Sequence, residues 1–304
     1  MDLTHPVVGE LLGRCTFPAA GTAVTCAVSG GADSLALLAL AAAAGCRATA
    51  VHVDHGLRPG SAAEADVVAD AADRLGAEFR SERIDVGDGP NLEARARAAR
   101  FSVLPTDVLT GHTADDRAET VLLHLIRGAG PAGAVGMTRN PRRPLLDLRR
   151  SDTVALCGVL DLAPVHDPSN DDRRFRRNRV RHELLPLLAS IGERDPVPVL
   201  VRQADLFADV DAALGVTAAR LDPSVAADLA GAPVAVAATA VRAWLVAAGV
   251  GDGYGVDAAT VARVLDVARG SCVATEVVGG WRVARSKGRL SVHRPGPWQD
   301  AAHD

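Results

Sequence analysis

Through the first 130 residues, short apolar runs alternate with longer amphipathic ones, with glycine, proline or acidic residues at the breaks. A short helix is expected within residues 1–20, closed by a turn around Pro18 and Gly21. Thr22–Val28 has β preference and breaks at Ser29-Gly30-Gly31; the alanine- and leucine-rich Ser34–Ala44 predicts a helix with Gly45 at C′. Cys46–Val53 predicts a buried strand, Ala62–Leu75 a helix stopped by Gly76, and Glu78–Val86 a third strand before a loop at Gly87–Pro90. Asn91–Val103 predicts a helix with Asn91 as N-cap, Asp107–Gly111 a short strand, and Ala114–Ile126 a helix entered through Asp115 and Asp116. Such alternation predicts an α/β fold, a doubly wound parallel sheet with helices on both faces. Ligands of such sheets gather beyond the carboxyl ends of the strands. Three polar clusters fall there: Ser29–Ser34, His52–Arg58 and His112–Asp116.

Gly128–Pro144 reads as loop, and Asp167–Leu188 is basic and then amphipathic. Pro196 and Pro198 suggest a boundary near residue 195. Beyond it, helices are expected at Val199–Leu214, Pro233–Ala248 and Asp257–Val267, then strands at Val273–Val278, Gly280–Ala284 and Arg289–His293. The expected organisation is a first domain over 1–194 and a second, smaller α+β domain over 195–304, with a frayed end from Pro295.

Composition agrees with this pattern. Apolar residues make up 48% of the chain and aromatics 3%, which suits an α/β core of small side chains better than an aromatic-rich β-sandwich. A net charge of −4 argues against a globally basic nucleic-acid binder. Lys287 is the sole lysine, and the arginines cluster locally at Arg173, Arg174, Arg176, Arg177, Arg179 and Arg181. Cys15, Cys26, Cys46, Cys157 and Cys272 are scattered, and no pair has the C-x-x-C spacing of a zinc or redox site. Residues 1–10 lack a signal-type apolar run, and no window reaches the ~18 apolar residues of a membrane span. A cytoplasmic protein with reduced thiols is expected.

Ser29-Gly30-Gly31-Ala32-Asp33-Ser34 lies between a strand and a helix. Glycines let the backbone turn sharply, so successive N–H groups form an anion nest reinforced by the helix dipole. Bare phosphate would repel Asp33, which implies a bridging Mg²⁺ there. A lone Gly-Gly turn would more simply be an ordinary N-cap; the whole string is the signature of the PP-loop ATP pyrophosphatases, a Rossmann-like superfamily. No Gly-Lys-Ser/Thr follows, so kinase-type γ-phosphoryl transfer is not expected. His52 and Asp54 end the second strand, where this superfamily flanks the adenosine.

In the third cluster, Asp115 and Glu119 share a helix face, as do Asp116 and Thr120. Capping explains one acid there and leaves His112, Asp115, Asp116 and Glu119 together unexplained. Such a site suits Mg²⁺ or a cationic amine. The chain resembles the tRNA(Ile)-lysidine synthetase family in several blocks. These are His52-Val53-Asp54-His55-Gly56-Leu57-Arg58, then Asn91 and Glu93 leading to Arg97 and Arg100-Phe101, and His112–Thr120 followed by Arg127-Gly128-Ala129-Gly130. Arg143-Pro144-Leu145-Leu146, Asp167-Pro168-Ser169-Asn170, and Phe175 to Pro186 complete the set. The resemblance is strong over residues 22–190 and weaker over 235–293, where Gly279-Gly280-Trp281-Arg282-Val283 is similar to the family's small substrate-binding domain. Thr113 stands where the family often has a second His, and the segment between Phe101 and Asp107 is short against the family.

The resemblance implies that ATP adenylates the C2 oxygen of the wobble cytidine in isoleucine tRNA with a CAU anticodon, and that free L-lysine then displaces AMP. It implies ATP and Mg²⁺ as cofactors. Asp33, Asp115, Asp116, His112 and Glu119 are the expected catalytic residues, with Asp33 and Asp116 on the metal. Ser29, Gly30, Gly31, Ala32, Asp33, Ser34, His52 and Asp54 are expected on the nucleotide. Arg97, Arg100, Arg127, Arg176, Arg177, Asn178 and Arg181 are expected on tRNA. Oligomeric state stays open, a homodimer being one arrangement. A 2-thiolation enzyme of the same superfamily is the nearest rival and commonly carries paired C-x-x-C cysteines; an amidotransferase relative would need a glutaminase partner. A non-catalytic nucleotide-binding module is the alternative outside enzymes.

Overall fold

The computed structural model describes residues 1–54, 61–84, 92–165, 167–251 and 256–294. His55, Arg58 and Asn91, named above, lie outside the described residues, as does the side chain of Arg97. Two compact units emerge: Met1–Leu123 with Gly136–Arg202, and His124–Val135 with Gln203–Asp304.

The first unit begins α1 (Pro6–Leu12), β1 (Ala23–Ala27), α2 (Ala32–Ala43), β2 (Arg47–Asp54), α3 (Ser61–Arg74), β3 (Glu78–Arg83) and α4 (Leu92–Val103). The strands are parallel in the order β1-β2-β3, with Cys26 opposite Ala50 and Ala50 opposite Phe79. Side chains alternate across this sheet. Cys26, Ala48 and Ala50 join the core built around α2, whereas Ala27, Val51 and Val53 meet Leu104 and Val108. Leu35 to Ala41 are at most 1% exposed, so α2 is a helix buried on every side and apolar on every side. Strand β3 exposes Glu78, Arg80, Glu82 and Arg83, charges that suit an edge.

Residues 107–111 flank β1 without forming the expected strand. The Leu109 N–H donates to Thr25 O at 2.8 Å and Ala27 N–H to Leu109 O at 2.9 Å, giving a single parallel bridge. Pairing stops there because the Thr110 N–H turns to Arg142 O at 2.8 Å. The chain then presses on the glycine-rich loop: a Cβ at Gly111 would lie 2.6 Å from Asp33 O.

Helix α5 (Ala114–Ile126) follows, then the short α6 (Pro131–Ala134) and α7 (Arg150–Val159), a helix that the sequence pattern alone does not predict. Leu156 and Cys157 of α7 join the α2 core. Next come α8 (Arg176–Arg179), a π turn (Val180–Leu184) and α9 (Leu185–Gly192). Pro186 supplies no N–H and crowds the carbonyl one turn back, which accounts for the widened turn before it. Ala114, Ala118 and Leu122 of α5 pack with Val180, Leu185 and Val197, fixing α5 beside this basic segment.

Pro196 and Pro198 open α10 (Pro196–Ala218), a first turn being where proline is tolerated. The division between units falls within that helix, at Arg202/Gln203, where a break near 195 was expected. The second unit holds α11 (Ala226–Gly231), α12 (Val234–Ala247), α13 (Ala258–Arg269) and an antiparallel sheet of β4 (Ala274–Val277), β5 (Trp281–Ser286) and β6 (Arg289–His293). Its core includes Leu229, Val241, Leu245, Val264 and Val283. Asp257 caps α13 by accepting from Thr260 N at 2.6 Å, and Gly270 ends it at φ +85°. Among the described residues no helix is long and apolar enough to cross a membrane.

Candidate active site

Between β1 and α2 the chain makes the tight loop the sequence requires. Gly30 adopts φ +84°, a region that favours glycine, while Gly31 sits in extended backbone as the N-cap of α2. Ser34 Oγ accepts from Ser29 N at 3.1 Å and donates to Gly31 O at 2.8 Å, closing the loop on itself. Beyond the loop, the Val165 N–H donates to Gly30 O at 2.9 Å. The first-turn N–H groups of a helix have no intrahelical acceptor, so Ala32 and Asp33 stand at an electropositive end. His52 lies beneath, 2% exposed, with Nδ1 3.1 Å from Val28 O. A carbonyl accepts, so Nδ1 carries the proton in the neutral ring and Nε2 is an acceptor; Nε2 is buried without a hydrogen-bond partner among the described residues. Asp54 ends β2, half-buried.

The acids of α5 meet the loop through arginines. Arg150 donates to Asp33 Oδ2 at 3.3 Å, Asp116 Oδ1 at 3.1 Å and Glu119 Oε1 at 3.2 Å. Its backbone N–H donates to Asp115 Oδ2 at 2.8 Å. Arg177 reaches Glu119 Oε2 at 2.8 Å and Asp116 Oδ1 at 3.1 Å, and Arg181 reaches Glu119 Oε1 at 2.7 Å. Arg149 donates to both oxygens of Asp115, at 3.0 and 3.1 Å, and pairs with Asp195. The Thr153 hydroxyl donates to Asp33 Oδ1. His112 Nδ1 lies 2.8 Å from Thr110 Oγ1, close enough to Asp116 to stabilise its charge. The Glu119 side chain is 0% exposed.

Burial raises the Asp33 carboxyl above its usual range, against the opposing Thr153 hydrogen bond and the Arg150 charge. Burial pushes Asp115 the same way, but the Arg149 bonds and the Arg150 N–H outweigh it and hold the carboxyl low. Asp116 is also low: Arg150 and Arg177 overcome its desolvation. Buried ion pairs commonly return little net stability, because desolvation cancels much of the attraction. So dense a cluster at the carboxyl ends of the strands therefore points to function.

Asp33 Oδ2 and Asp116 Oδ1 converge on one cation, the Arg150 guanidinium. Two hard carboxylate oxygens on a shared positive charge fit Mg²⁺, which binds through one or two carboxylates together with substrate phosphates. No group of three or more His, Cys, Asp or Glu able to hold a metal occurs among the described residues, so a protein-only cage is not what these residues form.

The basic segment differs from a uniform solvent-facing strip. Arg173, Arg174, Arg176 and Arg179 are exposed. Arg177 and Arg181 turn inward to the acids, with side chains 30% and 21% exposed. Asn178, also expected on tRNA, is buried and donates to Asp172 O at 3.0 Å. Arg100 and Arg127 are exposed, and Arg127 belongs to the second unit. Arg149, Arg150 and Thr153 bond to the candidate acids and were not singled out from the sequence. A signal was present: Arg149 and Arg150 open a helix at the end whose dipole disfavours cations.

A family model described as a PP-loop domain matches residues 8–188. The tRNA(Ile)-lysidine synthase of Nocardia farcinica is 44% identical over 81% of this chain and 82% of its own length. That of Rhodococcus erythropolis is 45% identical over 74% of each chain, and that of Rhodococcus jostii 39% identical over 88% of this chain and 89% of its own. The solved U34-tRNA thiolase of Methanococcus maripaludis with its [4Fe-4S] cluster shares the fold, with a TM-score of 0.55 at 17% identity over 67% of this chain and 78% of that one. With its glycine-rich loop, its acids at the strand ends and relatives of this identity along most of its length, the chain belongs to the tRNA(Ile)-lysidine synthase family of PP-loop proteins.

Proposed function

We propose that the protein attaches L-lysine to C2 of the wobble cytidine of isoleucine tRNA bearing a CAU anticodon. It is an ATP-dependent ligase of the PP-loop type. In the first step the C2 oxygen attacks the α-phosphorus of ATP and the bond to pyrophosphate breaks. In the second the lysine amine attacks C2, and the C2–O bond breaks as AMP leaves with that oxygen. Adenylation is needed because an oxygen on cytosine C2 leaves poorly by itself. An anticodon base is single-stranded and cheaply unstacked, so it can reach the loop.

The observation that carries this reading is the meeting of Asp33, from the glycine-rich loop, with Asp116 and Glu119 of α5 around one cation. The loop amides and the serines Ser29 and Ser34 bind pyrophosphate oxygens, and His52 and Asp54 lie on the adenosine side. Asp33 and Asp116 would hold Mg²⁺, which neutralises phosphate charge when bound. Glu119, with Asp115 and His112 nearby, orients the cationic lysine. Arg176, with Arg97, Arg100 and Arg127, meets the tRNA backbone. Residues 195–304 supply further RNA contacts, and a cytoplasmic setting follows from the substrate.

Pyrophosphate release tests the reading. The purified protein with ATP should release pyrophosphate only when isoleucine tRNA is added, and the Asp33→Ala variant should release none. Equal release without RNA contradicts it.

A further inference from the structure

All four candidate acids bond to residue 150. Its guanidinium takes Asp33, Asp116 and Glu119, and its N–H takes Asp115. Asp33 comes from the start of α2 and the other three acids from α5, so Arg150 ties together two elements that the backbone does not join directly. The residue is three-quarters withdrawn from water, with a side-chain exposure of 26%. Its charge is held by the acids against its own desolvation. The fork is rigid and cannot lose its proton, so it fixes the spacing of its acceptors as a lysine ammonium would not.

Arg150 engages Asp33 Oδ2 at 3.3 Å and Asp116 Oδ1 at 3.1 Å, one oxygen from each of the two carboxylates assigned above to Mg²⁺. We propose that Arg150 is a positioning residue that competes with a divalent cation for Asp33 and Asp116, setting the spacing of loop and α5 and releasing these two carboxylates as the cation enters with the nucleotide. Glu119 and the Asp115–N–H bond provide a place for residue 150 to remain anchored during the exchange. The inference rests on the proposed metal role of Asp33 and Asp116.

Binding of Mn²⁺ alone to the full chain without nucleotide, followed by electron paramagnetic resonance of the free ion, tests the competition without relying on turnover. Arg150→Ala should bind Mn²⁺ about tenfold or more tightly than the parent, because a full positive charge within a few ångströms is removed. Arg150→Lys, which keeps the charge and loses the fork, should fall between the two and protects the test should the alanine variant fail to fold. Adding Asp33→Asn to either variant should abolish the gain. The Mg²⁺ concentration giving half-maximal pyrophosphate release should fall in Arg150→Lys while kcat also falls, separating positioning from simple charge removal. Unchanged or weaker Mn²⁺ binding in both variants overturns the proposal, as does tightening that survives Asp33→Asn. A wild-type protein that shows the competition yet releases no pyrophosphate with RNA would instead count against the ligase reading alone.

Discussion

Thr113 donates twice to the same oxygen of Asp116: its backbone N–H at 2.8 Å and its hydroxyl at 3.0 Å both end on Oδ2. Asp116 therefore divides its labour. One oxygen, Oδ2, takes both Thr113 donors at the N-terminus of α5, and the other, Oδ1, faces Arg150 and Arg177. The residue that departs from the family's usual His thus orients a candidate metal ligand.

Thr113 is fully buried, so replacing it exposes that geometry. Thr113→Val removes a hydrogen bond to a charged group and should lower Tm on the order of 5 °C, with reduced pyrophosphate release. Thr113→Ser keeps the hydroxyl and should stay within about 2 °C of the parent. Equal melting of the two variants in a calorimetric scan would contradict the role given to the hydroxyl.

The buried charge of Asp33 acts against stability. Burial raises its folded carboxyl above the ordinary aspartate range. Above its folded pKa the ionised side chain costs the native state stability, and that cost disappears as pH falls below the unfolded value. At neutral pH, Asp33→Asn should accordingly abolish adenylation while Tm holds or rises; a fall of more than about 4 °C in a thermal melt would run against this account.

The cysteines should react in order of exposure. Burial pushes the thiols of Cys15 and Cys26 up to about 12 and that of Cys157 up to about 11, whereas Cys272 is exposed. The thiolate is the reactive species, so iodoacetamide at mildly alkaline pH should modify Cys272 first in the native protein. Peptide mass mapping that finds Cys26 alkylated at the same rate would disagree with its burial.

Arginines of the basic segment should separate into two groups. Arg173→Ala with Arg176→Ala should weaken tRNA binding and flatten its salt dependence by about 0.7–0.9 in log–log slope for each phosphate no longer neutralised. Arg181→Ala should lower kcat and leave that slope intact, since its guanidinium is held on Glu119. Filter binding across a salt series distinguishes them, and an equal flattening by Arg181→Ala would return that residue to the RNA surface.

Local signals carry far in this chain. The limits of α5, from Ala114 to Ile126, and of β6 follow directly from sequence, because acid-rich entry, apolar periodicity and glycine punctuation are local properties. The glycine-rich string and the acids of α5 are legible for the same reason. The Arg150–Asp33 pair is not, because its members are 117 positions apart and ion pairing over that range leaves no periodic trace. Spacing does separate Arg177 and Arg181 from their neighbours: four residues apart, they share a face of the turn that meets α5. The expected strand at 107–111 reduces to one bridge because tertiary bonds to Arg142 and the close passage of Gly111 over Asp33 outweigh local β preference.

The most direct measurement is the mass of isoleucine tRNA with a CAU anticodon after incubation with the protein, ATP and L-lysine. The account predicts a gain of one lysine less one water, confined to the anticodon fragment and dependent on ATP. An RNA of unchanged mass, in the presence of protein shown to bind ATP, would contradict it.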